Sequence, residues 1–332
     1  MTGRQLLDYL TMAVIWGFSF VMVLRVVEAF GWVAAVSFRA LIASAILLAW
    51  AVVTRRRLAF GSWRPLAVVG ATTVAGQLLG LAFATPRIGT AMAAIFVGSI
   101  PLFSMVIGRL WGGEHLSRTS LAGLVIGFSG IVMLVGFPAV PVTATFLLGC
   151  ASSVFGAVCA AFGSNYAHRR LRAVGSWEQT IGAFATGGLM TLPLVLLVPV
   201  VRVPTQVDVL TLVLLAATCS SLAYVLYFRL VAQVGATLAI SVEFVVTVLA
   251  VFIGAAILRE PLTIAQLVGG AVIILGCSLV LGLLPVRRGL PGHGKVAAGV
   301  TAGGAAGVTA GVTAGGATPV LTPDGMAEVA RD

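Results

Sequence analysis

Glu243 is a carboxylate placed deep inside a long uncharged apolar stretch. If residues 235 to 258 cross a membrane as a helix, a rise of about 1.5 Å per residue puts Glu243 roughly 12 Å below one face. A charge at that depth costs about 2.5 to 3.5 kcal/mol or more unless it faces a cavity or a partner. We therefore expect Glu243 to face the interior of a helix bundle, where its carboxyl group could carry a proton. The alternative is a neutral glutamic acid hydrogen-bonded between helices.

Arg39 is the predicted partner of Glu243. It lies about eight residues into the stretch 31 to 53, which would enter from the opposite face, so its depth is again roughly 12 Å. In a hydrocarbon core about 30 Å thick the two groups are then about 6 Å apart along the membrane normal. This separation predicts that the two side chains can meet. The alternative for Arg39 is to extend its side chain to the outer interface.

Other polar and aromatic side chains in apolar stretches could line the same interior. Trp16 and Ser19 are three residues apart and so share one helix face. Aromatic walls with few polar groups suit a small amphiphilic solute, although each side chain alone could equally serve packing or hydrogen bonding. The predicted cavity residues are Trp16, Ser19, Arg39, Gln77, Ser99, Tyr224 and Glu243, with Ser220, Ser221 and Tyr227 as further candidates.

Three residues are candidates for hinges or gates. Pro101 lies midway through an apolar stretch, where a proline removes a backbone hydrogen bond and bends or loosens a helix, as a hinge or as a static kink. Glu114 and Glu260 lie at the ends of apolar stretches, each near an arginine. They are boundary residues or, alternatively, form gate ion pairs with Arg109 or Arg259.

The composition defines the class of protein in which these residues must work. The chain of 332 residues is 60% hydrophobic and 9% charged, with a mean hydropathy of +1.12. These values are typical of an integral membrane protein. The net charge of +10 comes from arginines in short clusters between apolar runs, which favours an orienting role over nucleic-acid binding. The four cysteines lie within apolar runs without metal-ligand spacing, so we expect no disulfide framework, metal or cofactor.

Ten apolar stretches are long enough to cross a hydrocarbon core, which takes about 20 residues. Cytoplasmic connections are enriched in arginine and lysine, and this rule predicts that both termini of this multi-pass, all-α protein lie in the cytoplasm, with the chain in the plasma or inner membrane. The predicted spans are 8 to 28, 31 to 53, 66 to 84, 88 to 110, 119 to 137, 145 to 167, 177 to 199, 208 to 228, 235 to 258 and 262 to 284.

The second half of the chain reads as a copy of the first. With Gly89 placed on Gly235, the two segments align without a gap, and Glu114 falls on Glu260. Five spans per half is an odd number, so the copies would enter the membrane from opposite sides. Such inverted repeats allow a central site to be exposed alternately to either face. The predicted repeats are residues 8–137 and 145–284; a duplicated bundle that moves nothing is the alternative.

Residues 285–332 differ in composition from both predicted repeats. This tail is rich in Gly, Ala, Val and Thr, and it contains VTAG three times. Such a segment lacks the bulk to build a core, so we predict a disordered cytoplasmic extension.

Five segments, in order along the chain, carry a resemblance to a known family: Trp16-Gly17-Phe18-Ser19-Phe20, Phe38-Arg39, Ser99-Ile100-Pro101-Leu102-Phe103, Gly113-Glu114-His115-Leu116 and Arg259-Glu260-Pro261-Leu262. They resemble the EamA-type transporters of the drug/metabolite transporter superfamily. Two positions depart from the family pattern: Thr247 stands where the first copy has Pro101, which puts a helix break in the ninth span in doubt, and Arg259 replaces a glycine. The resemblance implies a polytopic carrier, often an exporter of amino acids, other metabolites or drugs.

The sequence argues against an enzyme. A serine protease would need a histidine within the membrane, whereas His115, His168 and His293 fall in connections or in the tail. The aspartates lie at span ends or outside, and the sequence has neither a nucleotide-binding loop nor a metal-ligand cluster. A secondary transporter of a small molecule, surrounded by lipid as a monomer or homodimer, is favoured. A passive channel or a non-transporting membrane partner is the alternative.

Overall fold

The computed structural model describes residues 3–112, 118–136, 141–198, 200–259 and 262–280. All regular secondary structure in these ranges is helical. Glu114, Glu260 and the predicted disordered tail, residues 285–332, lie outside the described residues.

Fourteen α-helices, two π-helical segments and one 3₁₀ helix follow one another in the described ranges. The π-helical segments are Gly70–Gly76 and Ala216–Leu222, and the 3₁₀ helix is Leu192–Leu196. The α-helices are α1 (Gly3–Phe30), α2 (Trp32–Val53), α3 (Trp63–Val69), α4 (Gln77–Ile88), α5 (Thr90–Val97), α6 (Ile100–Gly112), α7 (Arg118–Gly136), α8 (Ala144–Arg170), α9 (Ser176–Thr191), α10 (Gln206–Leu215), α11 (Ala223–Val234), α12 (Ala236–Ile240), α13 (Val242–Ile257) and α14 (Ile264–Val280).

Some consecutive helical segments join into longer continuous helices. In the described part of the chain, seven helices are long and apolar enough to cross a membrane. One of them, Gln206–Val234, continues beyond the predicted end of its span at residue 228. Three shorter apolar helices cover Leu121–Met133, Val242–Ile257 and Ile264–Leu279.

Two kinds of unusual backbone conformation, a glycine with positive φ and a π-helical segment, each occur twice in the chain with the same number of residues between the two copies. Gly89 has φ 86° and ψ 159°, and Gly235 has φ 89° and ψ 161°. Such positive φ values favour glycine because it lacks a Cβ atom. The two π-helical segments begin at positions 70 and 216, and this offset of 146 residues is the same as that between the two glycines.

Glycines allow close approach between helices within the chain. A Cβ atom on Gly80 would lie 2.7 Å from the carbonyl oxygen of Ser152 in α8. A Cβ atom on Gly276 would lie 2.4 Å from the backbone nitrogen of Gly127 and 2.6 Å from the carbonyl oxygen of Gly123. Small residues let membrane helices pack closely. Gly76 and Gly80, and Gly123 and Gly127, have the spacing of such small residues in the sequence, and in the structure they serve contacts inside one molecule.

Gly276→Ala is expected to reduce the free energy of unfolding by about 1 to 3 kcal/mol, the usual cost of overpacking. The new methyl group would meet the backbone of α7, which cannot turn aside as a side chain can. Gly270→Ala in the same helix is the matched control, because its Cβ atom would lie 3.4 Å from the nearest atom. Thermal unfolding in detergent compares the two variants; equal midpoints would contradict the proposed crowding.

Two contacts indicate which helix ends share a face of the bundle. The Arg56 guanidinium, just after α2, lies 4.8 Å from the ring centre of Trp177 at the start of α9. Arg169 at the end of α8 donates a hydrogen bond of 3.1 Å to the carbonyl oxygen of Trp111 at the end of α6. Since only residues 171–175 separate α8 from α9, all four helix ends lie on one face. The arginine clusters around Arg56 and Arg169, which the sequence predicts to be cytoplasmic, therefore lie on the same face of the bundle.

Candidate functional site

A small cavity lies where α1, α2, α4, α11 and α13 meet, and its volume is about 40 Å³. It contains six of the seven residues predicted to line a cavity; Ser99 is the exception. The lining residues are Trp16, Ser19, Phe20, Arg39, Gln77, Leu78, Leu81, Tyr224, Glu243 and Val246.

The two π-helical segments lie next to this cavity. Gln77 directly follows Gly70–Gly76, and Tyr224 follows Ala216–Leu222 with one residue between. A π-helical turn is wider than an α-helical turn and is frequent at functional sites. The wider turn sets the direction in which the side chains after it leave the helix. Hydropathy gave no signal for either segment.

The aromatic wall of the cavity is fixed by hydrogen bonds. The Trp16 indole Nε1 donates to the carbonyl oxygen of Cys219 at 3.0 Å. Its ring centre lies 5.3 Å from that of Tyr224 and 5.5 Å from that of Tyr227. The hydroxyl groups of Tyr227 and Ser164 are hydrogen-bonded at 2.7 Å. Buried Trp and Tyr side chains satisfied in this way form a rigid amphipathic surface.

Arg39 and Glu243 reach the cavity from different walls. Each is only 7% exposed, so Arg39 does not extend to the interface. Its Nε donates to Ser220 Oγ at 2.5 Å, and Tyr224 lines the same cavity.

The predicted direct pair between Arg39 and Glu243 is absent from this structure. The ion pairs between described residues join Asp8 to Arg229 and Asp208 to both Arg25 and Arg202. Ser220 holds the guanidinium on its own side of the cavity, so depth in the membrane alone did not determine the partner. Two opposite charges therefore face one cavity without contacting each other.

Glu243 lies at a break in its transmembrane segment. α12 ends at Ile240 and α13 begins at Val242, so Glu243 is in the first turn of α13. The amide of Phe244 donates to the carbonyl oxygen of Ser241 at 3.2 Å, a tighter turn than an α-helix makes. This break occurs without a proline. The first turn of a helix is electrostatically favourable for a carboxylate.

The helix break in this segment lies directly before Pro101. α5 ends at Val97 and α6 begins at Ile100, so Pro101 is the second residue of α6, where a missing N–H group costs little. The interruption lies at Gly98 and Ser99, and Ser99 Oγ donates to the carbonyl oxygen of Phe96 at 2.5 Å. Ser99 thus serves the helix break and lies outside the cavity.

The two helix breaks are close in space. A Cβ atom on Gly98 would lie 2.6 Å from Thr247 Oγ1. The Thr247 hydroxyl group donates to the carbonyl oxygen of Ala94 at 3.0 Å and to that of Glu243 at 2.7 Å. Interrupted helices that meet beside a polar cavity are a feature of secondary transporter sites.

Apolar helices around a polar cavity define this chain as a multi-pass α-helical membrane protein. The family model of the EamA-like transporter family matches residues 6–136 and 147–282. The chain belongs to this family, which confirms the resemblance read from its motifs.

Comparisons with individual proteins agree with the family. The chain is 27% identical over 295 residues to the uncharacterised inner membrane transporter YedA of Escherichia coli strain K12, covering 84% of this chain and 92% of that protein. The YedA proteins of E. coli O6:H1 and O157:H7 match equally well. A crystal structure of another protein superposes with a TM-score of 0.61 at 18% identity, covering 85% of this chain and 98% of the other. This last similarity concerns the fold alone.

Proposed function

We propose that this protein is a secondary transporter that exports small zwitterionic metabolites, such as amino acids or related compounds, by alternating access. Ten spans form two inverted repeats, residues 8–137 and 145–284, in the cell or inner membrane. The offset of 146 residues shared by the π-helical segments and the glycine turns supports the repeat. The observation that carries the proposal is the cavity lined by both Arg39 and Glu243, which form no ion pair with each other.

The two charges indicate the class of substrate. A guanidinium group binds a carboxylate through paired hydrogen bonds, and the carboxylate of Glu243 can accept hydrogen bonds from an ammonium group. A solute with one carboxylate and one ammonium group could bind Arg39 and Glu243 at the same time. Trp16 and Tyr224 line the same cavity and would cover the apolar part of such a solute.

The volume of the cavity supports a conformational cycle. About 40 Å³ is far below the roughly 300 to 1,000 Å³ of pockets that bind small molecules. The cavity must therefore enlarge before a metabolite can enter, and rocking of one repeat against the other would open it to one face at a time. Glu243 would couple this movement to a proton.

Counterflow in proteoliposomes tests the transport mechanism. We expect an unlabelled amino acid inside the vesicles to accelerate uptake of the same labelled amino acid by at least about fivefold. The reason is that the binding site of a carrier reorients from the inner to the outer face faster with substrate bound than when it is empty. The measurement uses a panel of amino acids and their amine analogues. Uptake without acceleration would indicate the alternative function, a passive channel. No uptake of any panel member above protein-free vesicles would contradict the proposed substrate class.

Both termini are proposed to be cytoplasmic, which the shared face of the arginine clusters supports. Reporter tags inserted after residues 57 and 172 are expected to lie on the same, cytoplasmic side of the membrane. Protease protection in spheroplasts and inverted vesicles measures this. Tags on different sides would contradict the inverted arrangement of the two repeats.

A further inference from the structure

Two buried aspartates connect α1 to the segment formed by α10 and α11. Asp8 in α1 accepts a hydrogen bond from Arg229 in α11. Asp208 in α10 accepts from Arg25 Nε at 3.1 Å and from Arg202 Nη1 at 2.7 Å. Asp8 is 8% exposed and Asp208 is fully buried. Neither aspartate lines the cavity.

The two ion-pair clusters lie at opposite ends of α1. Asp8 and Arg25 belong to the same helix, and their separation in sequence corresponds to roughly 26 Å along its axis. This distance is close to the thickness of a hydrocarbon core, about 30 Å. Trp16 and Ser19, which line the cavity, lie between them on α1. One cluster therefore lies on each side of the cavity along α1.

Polar contacts reinforce the cluster at Asp8. Gln5 Nε2 donates to Gln233 Oε1 at 3.2 Å. The hydroxyl groups of Tyr9 and Ser241 are 3.3 Å apart. These contacts join the first turns of α1 to the end of α11 and to the helix break that precedes Glu243.

The cluster at Asp208 has its own supporting contacts. Asp208 Oδ2 accepts from the Thr205 backbone nitrogen at 2.9 Å and from its hydroxyl group at 2.7 Å. The backbone nitrogen of Arg202 donates to the carbonyl oxygen of Ala29 at 3.3 Å. The hydrogen bond to Asp208 raises the pKa of Arg202.

We propose that Asp8 and Asp208 are the two gate residues of the transport cycle, each closing the cavity at one end of α1. This inference rests on the alternating access put forward above. In this structure both clusters are formed, and the cavity between them has a volume of only about 40 Å³. In the cycle, the cluster at Asp8 separates to open the cavity toward the cytoplasm, and the cluster at Asp208 separates to open it outward.

Two features suit contacts that must break and reform. The buried Nε of Arg229 has no hydrogen-bond partner among the described residues, and such a group weakens the closed arrangement. At the other end, the side chains of Arg25 and Arg202 are 51% and 44% exposed. Both arginine side chains therefore have room to move away from Asp208.

The test measures access to the cavity from each side. Val246, which lines the cavity, is replaced by cysteine in the full chain. A membrane-impermeant maleimide is then applied to intact cells and to inverted vesicles, and labelling of the parent without Val246→Cys is subtracted. Asp8→Asn is expected to raise labelling from the cytoplasmic side by about fivefold or more and to lower it from the outside. Asp208→Asn is expected to have the opposite effect.

Controls separate gating from loss of folding. Gln206 is exposed in the first turn of α10, two residues from Asp208, and belongs to neither cluster, so Gln206→Ala should leave labelling unchanged. If Asp8→Asn fails to accumulate in the membrane, the charge exchange Asp8→Arg with Arg229→Asp should restore accumulation and the wild-type labelling pattern.

The possible outcomes distinguish the gates from the function on which they rest. Unchanged labelling in both asparagine variants, or a change in the same direction in both, would overturn the gates while wild-type counterflow still supports transport. A charge exchange that accumulates but labels unlike the wild type would also overturn them. Absence of counterflow in the wild type would overturn the proposed function and, with it, the gates.

Discussion

Glu243→Gln is expected to reduce accumulation driven by a pH gradient to the level of protein-free vesicles. Glutamine has nearly the same size and keeps the capacity to hydrogen-bond, but it cannot take up or release a proton. Glu243 is buried at the cavity and belongs to none of the ion pairs between described residues. A carboxyl group without a fixed counterion is free to exchange its proton during the cycle.

The measurement compares uptake of one amino acid with and without an imposed pH gradient. Glu243→Asp is the matched control, because it keeps a carboxyl group on the first turn of α13 and should retain part of the driven accumulation. The amount of protein in the membrane and its elution in detergent should be the same for the wild type and both variants. Driven accumulation at the wild-type level in Glu243→Gln would remove the proton-carrier role.

Lipid makes part of this site predictable from sequence. A charged side chain in the middle of an apolar span must turn away from lipid, so Glu243 and Arg39 could be assigned to the bundle interior. Their contacts could not be assigned in the same way. Depth along a helix gives one coordinate, whereas the hydrogen bond from Arg39 to Ser220 depends on how α2 packs against the π-helical segment Ala216–Leu222.

The positions of the helix breaks could not be predicted fully from the sequence. The break before Glu243 occurs at Ser241 without a proline, because neighbouring helices stabilise a conformation that local residue preferences do not favour. Conversely, Pro101 sits in the first turn of α6, where it fits without distortion. Proline therefore indicated the break at Gly98 and Ser99, just before Pro101, but not the break at Ser241.

Hydropathy also does not predict which charged residues at the ends of spans form ion pairs. Asp8 and Asp208 are separated by 200 positions along the chain, and from sequence each is an ordinary charge at a membrane boundary. Their arginine partners Arg229 and Arg25 lie on different helices. Only the packing of α1 against α10 and α11 brings each aspartate to its partner, so the assignment required the structure.

Arg39→Lys is expected to raise the KM for an exchanged amino acid by about 10- to 100-fold. The structure gives the guanidinium one hydrogen bond to a described residue, from Nε to Ser220 Oγ, which leaves both Nη nitrogens for a ligand carboxylate. Lysine has a single nitrogen and cannot hold Ser220 and bind a carboxylate in a paired geometry. A lost hydrogen bond to a charged group costs about 1.5 to 3 kcal/mol, which gives the stated range.

A substrate without a carboxylate separates binding from folding in this variant. The amine analogue of the same amino acid cannot pair with Arg39, so its KM in counterflow should be nearly the same in wild type and Arg39→Lys. Ser220→Ala is the matched control, since it removes the partner of Nε but keeps the guanidinium in the cavity, and it should raise the KM for the amino acid by less than Arg39→Lys does. An equal increase in KM for the amino acid and its amine would mean that Arg39 supports the shape of the cavity and does not bind the substrate carboxylate. That result would contradict the proposed zwitterionic substrate.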